Sequence, residues 1–211
     1  MKKTLLVTKN ASLSLLSKLH PDAEVIGLDE GIFVAKSLNI RLAMAISSFN
    51  SVDLNDLLSF IPKDKIMKYE DVGDGKSIDK IIKFLISRGS EEIVILDKFN
   101  DKLERFRLIL SLLKEYKGKV SFQDDDNQIN YYQEGVHIIN KQEYNYFSVI
   151  GFPEANISIE HVSKPIKNVK ISFFDITPLD FNILERVAVL KVNKGGVLLS
   201  LATVKDEGNN F

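Results

Sequence analysis

The chain has 211 residues, 45 % hydrophobic and 27 % charged, enough to bury a substantial core with an ordinary globular composition. A formal net charge of −1 excludes a broad cationic footprint for nucleic acid, and no window approaches the roughly 20 apolar residues that cross a bilayer. Cysteine is absent, which excludes disulfides and thiolate-bound metals, and the basic-then-apolar start is too short for a secretory signal. A soluble cytoplasmic protein without membrane or nucleic-acid partners is expected.

Short apolar runs alternate with helical patterns over the first 120 residues. Strands are expected at 4–7, 24–28, 42–46, 65–68 and 92–96, and helices at 13–19, 32–38, 53–60, 77–88 and 103–116. Pro21 ends the first helix, Asp53 caps the third, and Ile78, Ile81, Ile82, Leu85 and Ile86 form one stripe on the fourth. This alternation predicts a parallel, helix-covered, Rossmann-like sheet in a first domain of residues 1–120.

After Gly118 the period changes from about 3.6 to 2. Short β-like segments follow at 120–122, 128–132, 136–139, 146–150, 155–160, 169–174, 187–192 and 197–202, with no convincing helix. An all-β sandwich or barrel-like domain is expected over 121–211. Lys194-Gly195-Gly196 reads as a hairpin turn with positive φ at glycine. Tyr131, Tyr132, Tyr144, Tyr146 and Phe147 supply sheet core, a stacking surface or a dimer interface.

Polar groups cluster where apolar runs end. Asp29-Glu30-Gly31 follows the second strand and Ser47-Ser48-Phe49-Asn50-Ser51 the third. A parallel strand delivers such groups to the mouth of a sheet. Gly75-Lys76-Ser77-Ile78-Asp79 and Asn100-Asp101-Lys102-Leu103-Glu104-Arg105 open the last two helices. Asp29 suits a helix cap, Asp79 a first-turn acid on the helix dipole, and residues 101–105 a charged surface turn. His20, His137 and His161 lack metal-ligand spacing, and no Walker loop or nucleophile elbow is present.

In this order and on these elements the clusters resemble the thiamin pyrophosphokinases over nearly the whole chain. Asp29-Glu30-Gly31 is similar to that family's Asp-Gly-Gly. Ser47–Ser51 stands at its Gly-Asp-Phe-Asp-Ser, residues 75–79 at its Lys-Asp-x-Thr-Asp, and residues 100–105 at its Gly-Gly-Arg-Leu-Asp-His. Residues 124–129 are similar to its Asp-x-x-Asn-x-Ile, Tyr146-Phe147-Ser148 to its Tyr-x-Ser, and Lys164-Pro165-Ile166 to its Tyr-Pro-Leu. Phe181-Asn182 stands at its thiamin-contacting Ser-Asn. The resemblance implies pyrophosphoryl transfer from ATP to thiamin with Mg²⁺, in a homodimer.

Carried over by position, it makes Asp29 and Asp79 the catalytic and metal-binding carboxylates, with Asp53 and Asp101 more distant. Gly31, Ser48, Asn50, Ser51, Lys102, Glu104 and Asn182 become the ligand-binding residues. Ser48 and Asn50 offer neutral oxygens where two carboxylates are expected, and Mg²⁺ wants several anionic oxygens. The glycines before Lys102 are lost too, and with them close backbone approach to phosphate. Three readings follow: a thiamin pyrophosphokinase-like protein with impaired or absent transfer, keeping a thiamin-like or nucleotide pocket with or without a bound cofactor; an active enzyme using Mg²⁺ and ATP through rebuilt ligands; or a structural or interaction protein.

Overall fold

The computed structural model describes residues 2–71, 74–98, 103–141, 144–176 and 179–202. It forms two compact units, 1–125 and 126–211.

In the first unit the strands are β1 (Lys3–Val7), β2 (Glu24–Leu28), β3 (Met44–Ser47), β4 (Ile66–Lys68), β5 (Glu92–Leu96) and β6 (Val120–Gln123). The helices are α1 (Leu13–Leu19), α2 (Gly31–Ser37), α3 (Leu54–Leu58), α4 (Asp74–Ser87) and α5 (Leu103–Tyr116). Local signals place them. Ser12 accepts from Leu15 N to open α1, Asp53 accepts from Asn55 N to open α3, and Gly89, at φ +88, follows α4.

All the strands are parallel, in the order β6-β5-β1-β2-β3-β4. β6 pairs in register with β5, Val120 opposite Ile93, so the last parallel strand lies beyond residue 120. Leu5, Val7, Val25 and Ala45 pack with Leu15, Leu16, Ile32, Ala35 and Leu57 in one core beneath α1–α3. The alternate side chains, Leu6, Ile26 and Ile46, are buried as well. So are Ile78, Ile81, Ile82 and Leu85 of α4 and Ile109, Leu112 and Leu113 of α5. Burial on both faces is what continuous Ile/Val/Leu runs specify in a parallel sheet.

The second unit is antiparallel: β7 (Asn127–Asn140), β8 (Tyr146–Glu160), β9 (Ile166–Ser172), β10 (Leu179–Asn182) and β11 (Val187–Ala202). Their order is β10-β8-β11-β7, with β9 also on β8. No helix occurs among the described residues after Tyr116. Three pairs of expected short strands are single long ones. The Lys194–Gly196 stretch is therefore a bulge inside β11 rather than a hairpin turn, with the register slipping between Val192 and Gly196. Gly195 does sit at φ +83, because a bulge makes the same demand on the backbone as a tight turn. Phe147 and Val149 from one half of β8 share a core with Ala155, Ile157 and Ile159 from the other. Tyr131, Tyr144 and Phe147 are buried. No helix of the described residues is long and apolar enough to cross a membrane.

Candidate functional site

Sequential strands run outward from β1 in one direction, and the chain then crosses back to place β5 on its other side. The connections after β1 and β5 therefore diverge, and a crevice opens beyond the strands' carboxyl ends, where ligands bind in open α/β sheets. A cavity of about 840 Å³ lies there. Thr8 and Asn10 after β1, Asp29 and Glu30 after β2, Ser48, Asn50 and Ser51 after β3, Tyr69 and Asp71 after β4, and Asp97 after β5 line it. Glu104, Arg105 and Arg107 of α5 complete the wall. The volume falls within the roughly 300–1,000 Å³ of small-molecule sites.

Two carboxylates organise the cavity. Asp29, in the left-handed region at φ 47, turns its side chain toward the ends of β3 and β4. Oδ1 accepts from Ser47 Oγ at 2.9 Å, Ser48 N at 3.0 Å and Ser48 Oγ at 3.4 Å; Oδ2 accepts from Tyr69 Oη at 2.6 Å. Ser47 Oγ in turn accepts from Phe49 N at 3.0 Å, and Phe49 sits at φ 62, uncommon for a bulky residue. Burial and the bond to Asp29 push the Tyr69 phenol above its ordinary range, so it stays protonated and donates. Asp97, only 3 % exposed, is the other anchor. Its Oδ1 accepts from Asn10 Nδ2 at 3.0 Å and Lys98 N at 2.9 Å, and its Oδ2 pairs with the Arg105 guanidinium.

No protein-family model matches the sequence, and no curated protein does. Solved structures match nearly end to end. Thiamine pyrophosphokinase from Bacillus subtilis superposes with a TM-score of 0.80 at 17 % identity, over 97 % of this chain and 100 % of that one. Thiamin pyrophosphokinase from Geobacillus thermodenitrificans gives 0.79 at 14 %, over 97 % and 99 %. That from Candida albicans gives 0.71 at 11 %, over 96 % and 90 %.

The chain has the thiamin pyrophosphokinase fold.

Within that fold, the structure brings Asp29, Ser48, Asn50, Ser51 and Glu104 to one cavity. Asp29 does not cap α2; Glu30 holds that position without a side-chain bond, because the Asp29 carboxylate is taken up by β3 and β4. Asp53 is spent capping α3. Gly31 is buried, and a Cβ there would meet the backbone leaving β1, so close packing accounts for the glycine. Lys102 and Asp101 lie outside the described residues. Asn182 belongs to β10 of the second unit, opposite Tyr146 of β8. Tyr69 and Asp97 had no assigned role in the sequence reading, although Asp97 follows an apolar run just as Asp29 does; Arg105, expected in a charged surface turn, instead pairs with the buried Asp97.

Asp79 is not brought to Asp29. It is absent from the cavity wall, and its carboxylate accepts from Lys83 Nζ at 2.8 Å, an i,i+4 pair, and from Tyr116 Oη of α5. Desolvation works against its charge, but the bonds from Lys83 and Tyr116 hold its pKa below the ordinary 3.8. A depressed folded-state pKa stabilises the fold above the unfolded value, and the stabilisation is lost as pH falls through the folded one. Asp79→Asn is therefore expected to flatten the acid limb of stability below pH 3.8, read by denaturant midpoints across that limb. An unchanged acid limb would show the pairing to be energetically silent.

Proposed function

We propose that this chain is a divergent relative of the thiamin pyrophosphokinases, with a Rossmann-like first half that keeps the ligand cavity but little or no Mg²⁺-dependent pyrophosphoryl transfer from ATP to thiamin. One observation carries the proposal: the two carboxylates that would share a metal do not converge. Asp29 faces the cavity, while Asp79 is held by Lys83 and Tyr116. Among the described residues, no three His, Cys, Asp or Glu side chains are placed to hold a metal ion. Mg²⁺ needs a few anionic oxygens in near-octahedral array, and the neighbouring Ser48 and Asn50 are neutral. The residues present do not fit it.

ATP alone fares little better electrostatically. Beyond the Asp97–Arg105 pair, the described wall carries Asp29, Glu30, Asp71 and Glu104 against Lys9 and Arg107. Like charges about 4 Å apart repel by ~1–4 kcal/mol depending on solvent exposure, so a polyphosphate needs the counter-ion that the site does not gather.

Millimolar Mg-ATP is thus expected to raise the melting temperature by far less than saturation would. A ligand at 100 times its Kd adds about 2.7 kcal/mol, roughly 5–10 °C for a chain this size. Ser48→Asp with Asn50→Asp should enlarge the Mg²⁺-dependent part of the shift. Steady formation of thiamin diphosphate by the unaltered chain would instead establish an active enzyme with rebuilt ligands.

A further inference from the structure

We infer that the Tyr69 hydroxyl stands where a divalent cation would bind Asp29, so that a phenol, and not a metal, ties the carboxyl ends of β2, β3 and β4 together. The inference rests on the proposed function's reading of this cavity and adds what fills the lost position.

An ionised carboxylate offers about four lone-pair sites. Around Asp29, Ser47 Oγ, Ser48 N and Ser48 Oγ converge on Oδ1, and Tyr69 Oη occupies Oδ2. At 2.6 Å the phenol bond has the length of a charge-assisted O–H···O⁻ contact. A Mg²⁺ ion sits about 2.0–2.1 Å from its oxygen ligands, so binding at Oδ2 would require that hydroxyl to leave.

The donors also come from the right places for a cross-link. Asp29 follows β2, Ser47 ends β3 and Ser48 follows it, and Tyr69 follows β4. Among the described residues of its unit β4 pairs only with β3, so the phenol adds a tie between that edge strand and β2. Asp29 and Phe49 are both left-handed, at φ 47 and 62, on either side of the bond from the Ser48 amide to the carboxylate. Ser47 is wholly buried, so its bond to Asp29 is shielded from water.

Mn²⁺, a paramagnetic stand-in for Mg²⁺, provides the test, titrated by electron paramagnetic resonance into the full chain and its variants. The wild-type chain is expected to show no saturable millimolar site that depends on Asp29. Tyr69→Phe should tighten Mn²⁺ binding about tenfold or more, the equivalent of one charge-assisted hydrogen bond, and Asp29→Asn in that background should abolish the gain. Equal Mn²⁺ affinity in wild type and Tyr69→Phe, or tight wild-type binding lost in Asp29→Asn, would overturn the inference. Should Tyr69→Phe not fold, the wild-type chain supplies a second readout by NMR. The Tyr69 hydroxyl proton should be slow to exchange and unmoved by millimolar Mg²⁺; its loss on adding Mg²⁺ would sink the idea. Thiamin diphosphate formation bears on the proposed function alone, and the effect of Tyr69 on Mn²⁺ affinity on this inference alone.

Discussion

Arg105→Ala is expected to destabilise the chain by about 3 kcal/mol, the lower end of the ~3–5 kcal/mol lost when one partner of a buried ion pair is removed. The physical cost lies with the partner left behind. Asp97 is 3 % exposed, and among the described residues its Oδ2 has no hydrogen-bond donor besides the guanidinium it is paired with. Asn10 and the Lys98 amide satisfy Oδ1 only. The Arg105 side chain is 24 % exposed, so some water can enter and the full range should not be reached. Thermal unfolding followed by circular dichroism should show a fall of roughly 6–12 °C. Replacing both partners, Asp97→Leu with Arg105→Met, should recover much of that loss, because a paired apolar replacement leaves no stranded charge. A single-variant loss below about 1 kcal/mol, the scale of an exposed pair, would mean that solvent already screens the contact.

Gly31→Ala should be about as damaging, for a steric reason. A Cβ there would lie 2.0 Å from Val7 O, 2.7 Å from Val7 C and 2.8 Å from Thr8 C. All three are backbone atoms at the end of a strand paired on both sides, so no side chain can swing away. Overpacking a tight core costs about 1–3 kcal/mol and sometimes more, and the upper end applies where backbone must move. A melting temperature lowered by roughly 6–12 °C without any ligand present would mark the glycine as a packing requirement. Normal stability with impaired ligand binding would return it to the role that the sequence resemblance implies.

The parallel half was largely legible because its signals are local. An apolar run of four or five residues, a cap such as Ser12 or Asp53, and a stop such as Gly89 each act within a few positions. In the β half β10 was missed, and the long strands were found but cut too short. Gly135, Gly151 and Gly195 interrupt apolar alternation as turn glycines do, yet each lies within a continuous strand, and only pairing partners distant in sequence distinguish bulge from turn.

The cavity residues divide in the same way. Asp29, Ser48 and Asn50 were found because small polar groups after a buried strand point to a sheet's mouth. That rule, applied evenly, also selects Asp97 after Leu96, but not Tyr69, a large residue that follows the half-exposed β4. The partners were not legible. Nothing near Asp29 in sequence indicates that Tyr69, 40 positions on, will close its coordination, and nothing near Asp79 points to Tyr116 of α5. Lys83 was also not read, although its i,i+4 spacing from Asp79 on a helix is a local signal.

The placement of β1 between β2 and β5 has a consequence for how the chain is made. Thr8 and Leu96, bonded neighbours in the finished sheet, are 88 positions apart. At ribosomal rates of about 5–20 residues per second, β1 waits roughly 4–18 s for β5 to be synthesised. Throughout that interval one edge of Lys3-Thr4-Leu5-Leu6-Val7 has no strand to pair with, and the segment is apolar and β-prone. The nascent chain thus carries an adhesive edge through most of the synthesis of its first unit, sealed only when the crossover strand arrives.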